Sequence, residues 1–123
     1  GDPTAIVIRV AEASFAAITN GRHLVSDLRA IRRDWDRRIA ARRDSATWRV
    51  ADLLLRHPVI NSMLLARELG IRANNAPRYI QPLERAGVLV EFTDRKRDRA
   101  WRAHEILQAL DAFATRAGRR RIE

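Results

Sequence analysis

The chain has 123 residues and a formal charge of +9, and 46% of its residues are apolar. That composition supports a folded domain with a real core and is too apolar for a disordered chain. The absence of cysteine excludes a disulfide framework and a cysteine-based metal site. No apolar run reaches the ~18 residues of a membrane span, and no signal-peptide pattern opens the chain, so we expect a cytoplasmic protein.

The charge balance points to an anionic partner. The chain holds 24 basic residues against 15 acids, and of the basic residues only Lys96 is a lysine. Codon bias in a GC-rich genome explains why arginine replaces lysine, but it does not explain the excess of cations. We therefore expect double-stranded DNA or another nucleic acid as the partner.

Residues 1–44 predict a helical arm made of two helices. The first covers residues 3–20, begins at Pro3 and ends or bends near Asn20-Gly21; the second covers residues 22–43. The second carries one apolar stripe at helical spacing, made of Leu24, Leu28, Ile31, Trp35 and Ile39. Either the following domain or a second copy must cover this stripe, so we expect arm packing or a homodimer there. The arginines between the stripe residues indicate a solvated helix face.

Residues 45–123 predict a second unit that begins at the helix cap Ser45. Its order is helix, short extended piece, helix, tight turn at Gly70, helix, hairpin and C-terminal helix. The C-terminal helix should run from about Glu105 to Arg116, with Gly118 ending it. This order is typical of a winged helix-turn-helix domain, so the expected class is mainly α with a small β-hairpin wing, preceded by the arm.

The second helix of the helix-turn-helix is unusual because it contains two prolines. Pro77 fits if Asn74 or Asn75 caps the helix and Pro77 lies in its first turn, where no N–H partner is lost. Pro82 lies further in and should kink the helix near its far end. Recognition helices read bases mainly with their first turns, so reading remains feasible.

Two sets of residues are candidates for DNA contact. The outward face of this helix carries amides and arginines, which can pair with adenine and guanine edges. The hairpin tip carries more cations than a turn requires, and these suit phosphates. The predicted base contacts are Asn74, Asn75, Arg78 and Gln81. The predicted phosphate contacts are Arg72, Arg95, Lys96, Arg97 and Arg99.

Catalytic and cofactor motifs are missing from the sequence. The three histidines, His23, His57 and His104, are not spaced as metal ligands. The five glycines are scattered and form no phosphate-binding loop. We therefore expect no enzyme activity, no metal and no cofactor.

The chain resembles the C-terminal region of Fic-family proteins. "GDPTAIV" and "NGRHLVSDLR" are similar to the last helices of the Fic fold, and the segment from "LLLRHPVI" to "RAWRA" is similar to the winged helix appended to it. The resemblance covers nearly the whole chain. The family's signature, a histidine followed by Pro-Phe and a Gly-Asn-Gly-Arg loop, is absent, and His57-Pro58 shares only its first two residues.

The resemblance implies either a fragment downstream of a catalytic motif or a stand-alone relative, with no catalysis by any residue here. Fic proteins transfer AMP from ATP to hydroxyl groups, and their winged helix is assumed to bind DNA or to regulate the catalytic part. Two functions follow as expectations. One is a DNA-binding regulator of transcription or the DNA-targeting part of a Fic protein. The other is an interaction or dimerisation module for a Fic catalytic domain, without DNA binding.

Overall fold

The computed structural model describes residues 3–93 and 98–122, with the backbone alone for residue 3 and residues 119–122. The described part is mainly helical and carries a small antiparallel sheet, which confirms the coarse fold class. Its helices are α1 (Pro3–Arg38), α2 (Ala46–Leu53), α3 (Ser62–Leu69), α4 (Ala76–Arg85) and α5 (His104–Ile122). Its strands are β1 (Val59–Asn61), β2 (Val90–Glu91) and β3 (Ala100–Arg102).

The N-terminal arm is one continuous helix and not the two helices that the sequence predicted. Asn20 and Gly21 lie inside α1, which has 36 residues. Asn20 is buried, and its amide nitrogen donates to the carbonyl of Phe113 at 3.2 Å. Its amide oxygen accepts a hydrogen bond from Nε of Arg116 at 2.5 Å. These bonds to α5 give Asn20 a tertiary role, and they offset the modest cost of one helical glycine.

Two further helix ends differ from the sequence prediction. α1 stops at Arg38 and not at residue 43. After the helix, the carbonyls of Ala41 and Arg42 accept from Nε1 of Trp48, at 3.4 Å and 3.0 Å. α5 continues through Gly118 to Ile122 and does not end at Gly118.

The helix predicted to begin after Ser45 is present as α2. Ser45 is the N-cap of α2, and its hydroxyl accepts from the N–H of Thr47 at 3.2 Å. β3 is the central strand of the sheet, with Trp101 opposite Ile60 on β1 and opposite Glu91 on β2. Trp101 and Ile60 are buried. A single hydrophobic core thus joins the sheet to α2, α3 and α4.

Helix α5 runs antiparallel to α1 and fastens it to this core. Near the start of α5, Glu105 accepts from Nε1 of Trp35 at 3.3 Å and pairs with Arg38 at 2.9 Å. Near its other end, Arg116 meets Asn20. Arg38 also donates to the carbonyl of Ala86 at 2.8 Å, just after α4. Within the described residues, no helix is both long and apolar enough to span a membrane.

Candidate nucleic-acid interface

Helices α3 and α4 are joined by a short turn of the kind that the sequence predicted. Asn61 caps α3 by accepting from the N–H of Leu64 at 2.8 Å. Gly70 ends α3 with φ of 68°, a left-handed conformation that favours glycine. Ile71 is buried after the turn and anchors it. A 3-10 turn at Ala73–Asn75 then leads directly into α4.

Both prolines are accommodated in α4. Pro77 lies in the first turn and Asn75 is the N-cap residue, as expected, although the Asn75 side chain makes no capping hydrogen bond. Pro82 lies inside a helix that continues to Arg85. Because Pro82 has no N–H, the carbonyl four residues earlier, on Arg78, has no intrahelical donor at that position. The hydroxyl of buried Thr47 donates to the neighbouring carbonyl of Tyr79 at 2.9 Å and ties α2 to this part of α4.

The two faces of α4 differ sharply in burial. Ala76, Ile80 and Leu83 are fully buried against the core. The opposite face is polar and exposed. Of the predicted base-contact residues, Asn74, Arg78 and Gln81 are exposed, and Asn75 is half-buried. Arg85 extends the same exposed row by one turn. Asn74, Arg78, Gln81 and Arg85 are exposed and recur at helical spacing, with exposed Arg72 and half-buried Asn75 next to them in the chain. These six residues are here called the α4 face: Arg72, Asn74, Asn75, Arg78, Gln81 and Arg85.

The cations of the α4 face are not neutralised by neighbours. Arg72, Arg78 and Arg85 are exposed, and none forms an ion pair with a carboxylate in the described part of the chain. Arg78 lies over the ring of Tyr79, with its guanidinium carbon 5.6 Å from the ring centroid. Such a stacked guanidinium keeps its N–H groups free for an outside acceptor.

The arginines of α1 behave differently. Arg38 is held between Asp34 at 3.0 Å and Glu105 at 2.9 Å, and Arg32 pairs with Asp36 and Asp52, each at 2.8 Å. The hydrogen bond from Arg38 is the main reason why the pKa of Asp34 is lowered, with Arg37 adding to it. The ion pairs of Arg32 and Arg38 link α1 to α2 and α5. Only part of the arginine-rich face of α1 is therefore the solvated face that the sequence predicted.

The hairpin between β2 and β3 is described only at its base. The predicted contacts Arg95, Lys96 and Arg97 lie outside the described residues. Arg99 is described and makes a two-pronged pair with Glu91, at 2.6 Å and 2.9 Å. The hydrogen bonds of this pair lower the pKa of Glu91 and raise the pKa of Arg99. The charge of Glu84, on α4, also raises the pKa of Arg99, but by less. Arg99 thus fastens the hairpin base, close to the last turn of α4, and its guanidinium is already occupied.

A groove that the sequence did not reveal borders the α4 face. It has a volume of about 420 Å³ and lies between α4 and the connection from α1 to α2. Arg78, Tyr79 and Pro82 line one side, and Arg42 and Asp44 line the other. Arg42 pairs with Asp44 at 3.2 Å, so the wall facing α4 is locally neutral. The positive side of the groove is therefore α4 itself.

The stripe predicted on the arm packs within its own chain. Trp35 and Ile39 are buried in the core, and Leu28 and Ile31 pack against it half-buried. Leu24 is half-buried one turn earlier. Leu28, Ile31, Trp35 and Ile39 are therefore covered by packing within the chain.

Comparisons with models of known protein families and with curated proteins give no match. The Fic-family resemblance stays a prediction. Among residues 3–93 and 98–122, no cluster of three or more histidine or acidic side chains is arranged to hold a metal ion.

Proposed function

We propose that the chain is a DNA-binding winged-helix domain and that α4 is its recognition helix. The observation that carries the proposal is the α4 face, on which unpaired arginines alternate with amide side chains. Amides pair with adenine edges and arginines with guanine edges in the major groove. In this proposal α3 and the Gly70 turn position α4, and the β2–β3 hairpin is the wing.

The first turn of α4 would enter the groove. Asn74, Asn75 and Arg78 precede Pro82 and project from the end that recognition helices use for base contact. Gln81 and Arg85 follow at one-turn spacing and would contact the groove edge or the backbone. Arg72 would bind phosphate, together with the wing cations Arg95, Lys96 and Arg97. We leave Arg99 out of the contact set because Glu91 holds its guanidinium.

The biological role that fits this site is regulation of transcription or the targeting of a larger Fic-type protein to DNA. The chain carries a formal charge of +9, so binding should contain a large electrostatic part that depends on salt. The base-reading residues would add sequence preference to that background.

Binding of the full chain to duplex DNA at several salt concentrations tests the proposal. Arg78→Ala should weaken binding to a selected site by about tenfold and change the preferred sequence. The matched control is Arg33→Ala, which removes an exposed arginine from α1 that has no ion pair with a described residue. If both variants lost the same amount of DNA affinity, binding would depend only on total charge, and this result would contradict base contact by α4.

A second variant tests the wing. Replacing Lys96 and Arg97 together by alanine should weaken binding to all sequences alike and reduce the salt slope by about two, at roughly 0.9 for each phosphate contact. Unchanged affinity and slope would remove the wing from the proposal. A wild-type chain that binds no duplex DNA at low salt would overturn DNA binding altogether.

A second candidate function is a module that regulates a Fic-type AMP-transferase through protein contact. It is favoured by the first half of α1, where large apolar side chains such as Val7 and Phe15 are 66% and 71% exposed. Titration calorimetry against a Fic catalytic domain tests it. Heat of binding that Phe15→Glu abolishes would support this function, and no heat at high micromolar concentration would exclude that partner.

A further inference from the structure

The two faces of the sheet differ in chemistry. Ile60 and Trp101, paired across β1 and β3, are buried and belong to the core. Side chains alternate between the faces along each strand, so the neighbours of this pair point to the other side of the sheet. The register of the three strands, continued by the hydrogen bond from the N–H of Phe92 to the carbonyl of Ala100 at 3.2 Å, places six residues there. We call this side the outer sheet face, and it consists of Val59, Asn61, Val90, Phe92, Ala100 and Arg102.

The outer sheet face is exposed and mainly apolar. Val59 is 46% exposed, Val90 43% and Phe92 48%. Arg102 lies on the central strand β3, opposite Val59 on one side and opposite Val90 on the other. The face therefore presents an accessible aromatic ring and aliphatic side chains around one arginine, a surface suited to a flat ligand with a negative charge.

Arg102 is the only charged residue of this face, and no neighbour neutralises it. It is exposed, and it forms no ion pair and no side-chain hydrogen bond with a described residue. Its guanidinium carbon is 5.9 Å from the centroid of the Phe92 ring. The N–H groups of Arg102 are therefore available to an outside acceptor beside an accessible ring face.

A groove extends the outer sheet face beyond β1. It has a volume of about 360 Å³, and Val59, Asn61 and Ala100 of the outer sheet face line it. Its other wall is α3, which contributes Arg67. Arg67 is exposed, and its ion-pair contact is the neighbouring Glu68 at 3.5 Å. No carboxylate is among the described residues that line the groove, so an anionic ligand meets only positive charge along this surface.

We propose that the outer sheet face binds single-stranded DNA, with one base stacked on Phe92 and an adjacent phosphate held by Arg102. Exposed aromatic rings and free cations are the two components of surfaces that bind single strands, and stacking accepts any base. The strand continues along the groove toward Arg67. Val59 and Val90 suit deoxyribose, because a ribose 2′-hydroxyl packed on them would lose hydrogen bonds to water. Duplex DNA does not fit this mode, since its bases are stacked within the helix.

Binding of the full chain to a labelled single strand of mixed sequence, followed by fluorescence anisotropy, is the first test. The wild type should bind the single strand at low salt. Phe92→Leu keeps an apolar side chain but removes the ring, so it should lower the affinity by about fivefold or more. Phe15→Leu is the matched control, because Phe15 is 71% exposed on α1, away from the sheet. A wild type that binds no single strand, or a Phe92→Leu variant that binds as tightly as the wild type, would overturn the proposal and leave the face to another occupant such as a protein.

A charge variant tests the phosphate contact. Arg102→Gln should reduce the slope of log affinity against log salt for the single strand by about 0.7, the value for one phosphate contact. Arg33→Gln removes an exposed arginine of α1 and should change the slope less. Phe92 and Arg102 are both exposed, so folding is retained in their variants, and circular dichroism checks it. Equal slopes for the two arginine variants would contradict a phosphate contact by Arg102.

Two further comparisons separate this inference from the proposed function and from RNA binding. The α4 face and the outer sheet face share no residue, so Arg78→Ala should weaken duplex binding and leave single-strand binding unchanged. A chain that binds the single strand through Phe92 but binds no duplex would overturn the proposed function alone. A single strand of RNA with the same sequence should bind no more tightly than the DNA. Tighter binding of the RNA would overturn the assignment to DNA.

Discussion

The two ends of helix α1 differ in what covers them. Near its C-terminal end the helix presents Trp35 to the core, and Ile39, the residue just after the helix, is buried there as well. From residue 4 to residue 15 every side chain is exposed, although the sequence there is at least as apolar. Apolarity alone therefore does not decide burial. Burial depends on whether another element of the chain reaches that part of the helix, and α5 reaches only part of it.

The sharpest test of this contrast replaces one aromatic residue at each end. Trp35→Ala removes a fully buried side chain and its bond to Glu105, so it should lower the free energy of unfolding by about 3–5 kcal/mol. Phe15→Ala should change it by less than about 0.5 kcal/mol in dilute solution. Urea unfolding followed by circular dichroism measures both. Similar losses would show that the exposed half is covered within the monomer.

Loss of the hydrogen bond between α2 and α4 should have the next largest effect on the free energy of unfolding. Thr47→Val removes the donor to the Tyr79 carbonyl and should cost about 1 kcal/mol, since it deletes one part-buried hydrogen bond between α2 and α4. Thr115→Val replaces an exposed threonine on α5 and is the control. The same unfolding experiment compares them. A neutral Thr47→Val would mean that the Pro82 region of α4 holds its shape without α2.

Two glycines should respond in opposite directions. Gly70→Ala should destabilise by about 1 kcal/mol or more, because φ of 68° is strained for alanine. Gly21→Ala should stabilise by about 0.5–1 kcal/mol, because Gly21 is helical and an added Cβ meets open space. Thermal unfolding resolves the signs. If Gly21→Ala destabilises the chain, α1 bends at Asn20-Gly21 in solution as the sequence predicted.

The smallest expected effect is on how stability changes when the pH is lowered. The pKa values of Asp34 and Glu91 are lowered by arginine hydrogen bonds, so these carboxylates favour the folded state when ionised. Their contribution is present above the ordinary carboxylate pKa and is lost as pH falls through the lowered values. Glu91→Gln should therefore reduce the drop in urea midpoint between pH 6 and pH 3. An unchanged drop would show that Arg99 and Glu91 do not hold the hairpin base in solution.

Local signals in the sequence predicted much of the compact part. Ser45 as a cap, Gly70 as a left-handed helix end and Pro77 in the first turn of α4 are confirmed, because each depends on only a few neighbouring residues. The exposed row of Asn74, Arg78 and Gln81 also followed from spacing alone. The role of these residues in DNA contact remains a prediction, as does the family resemblance.

The helix boundaries were less predictable. Asn20-Gly21 has the composition of a helix end, yet α1 continues because Phe113 and Arg116 lie far along the chain and bind Asn20. Arg99 looked like a phosphate ligand, but Glu91 on the opposite strand holds it. In both cases the deciding partner is distant in sequence, and a propensity or charge pattern contains no information about it.

The sequence by itself determined the cap at Ser45, the turn at Gly70, the polar row on α4 and the apolar stripe from Leu24 to Ile39, since each depends on short-range stereochemistry or on helical periodicity. Only the tertiary structure decided which part of α1 the rest of the chain covers and which arginines form no ion pair with a described carboxylate. The physical reason is that burial and ion pairing require a second surface at the right distance. Here α5 provides that surface for the part of α1 that holds Asn20, Trp35 and Arg38.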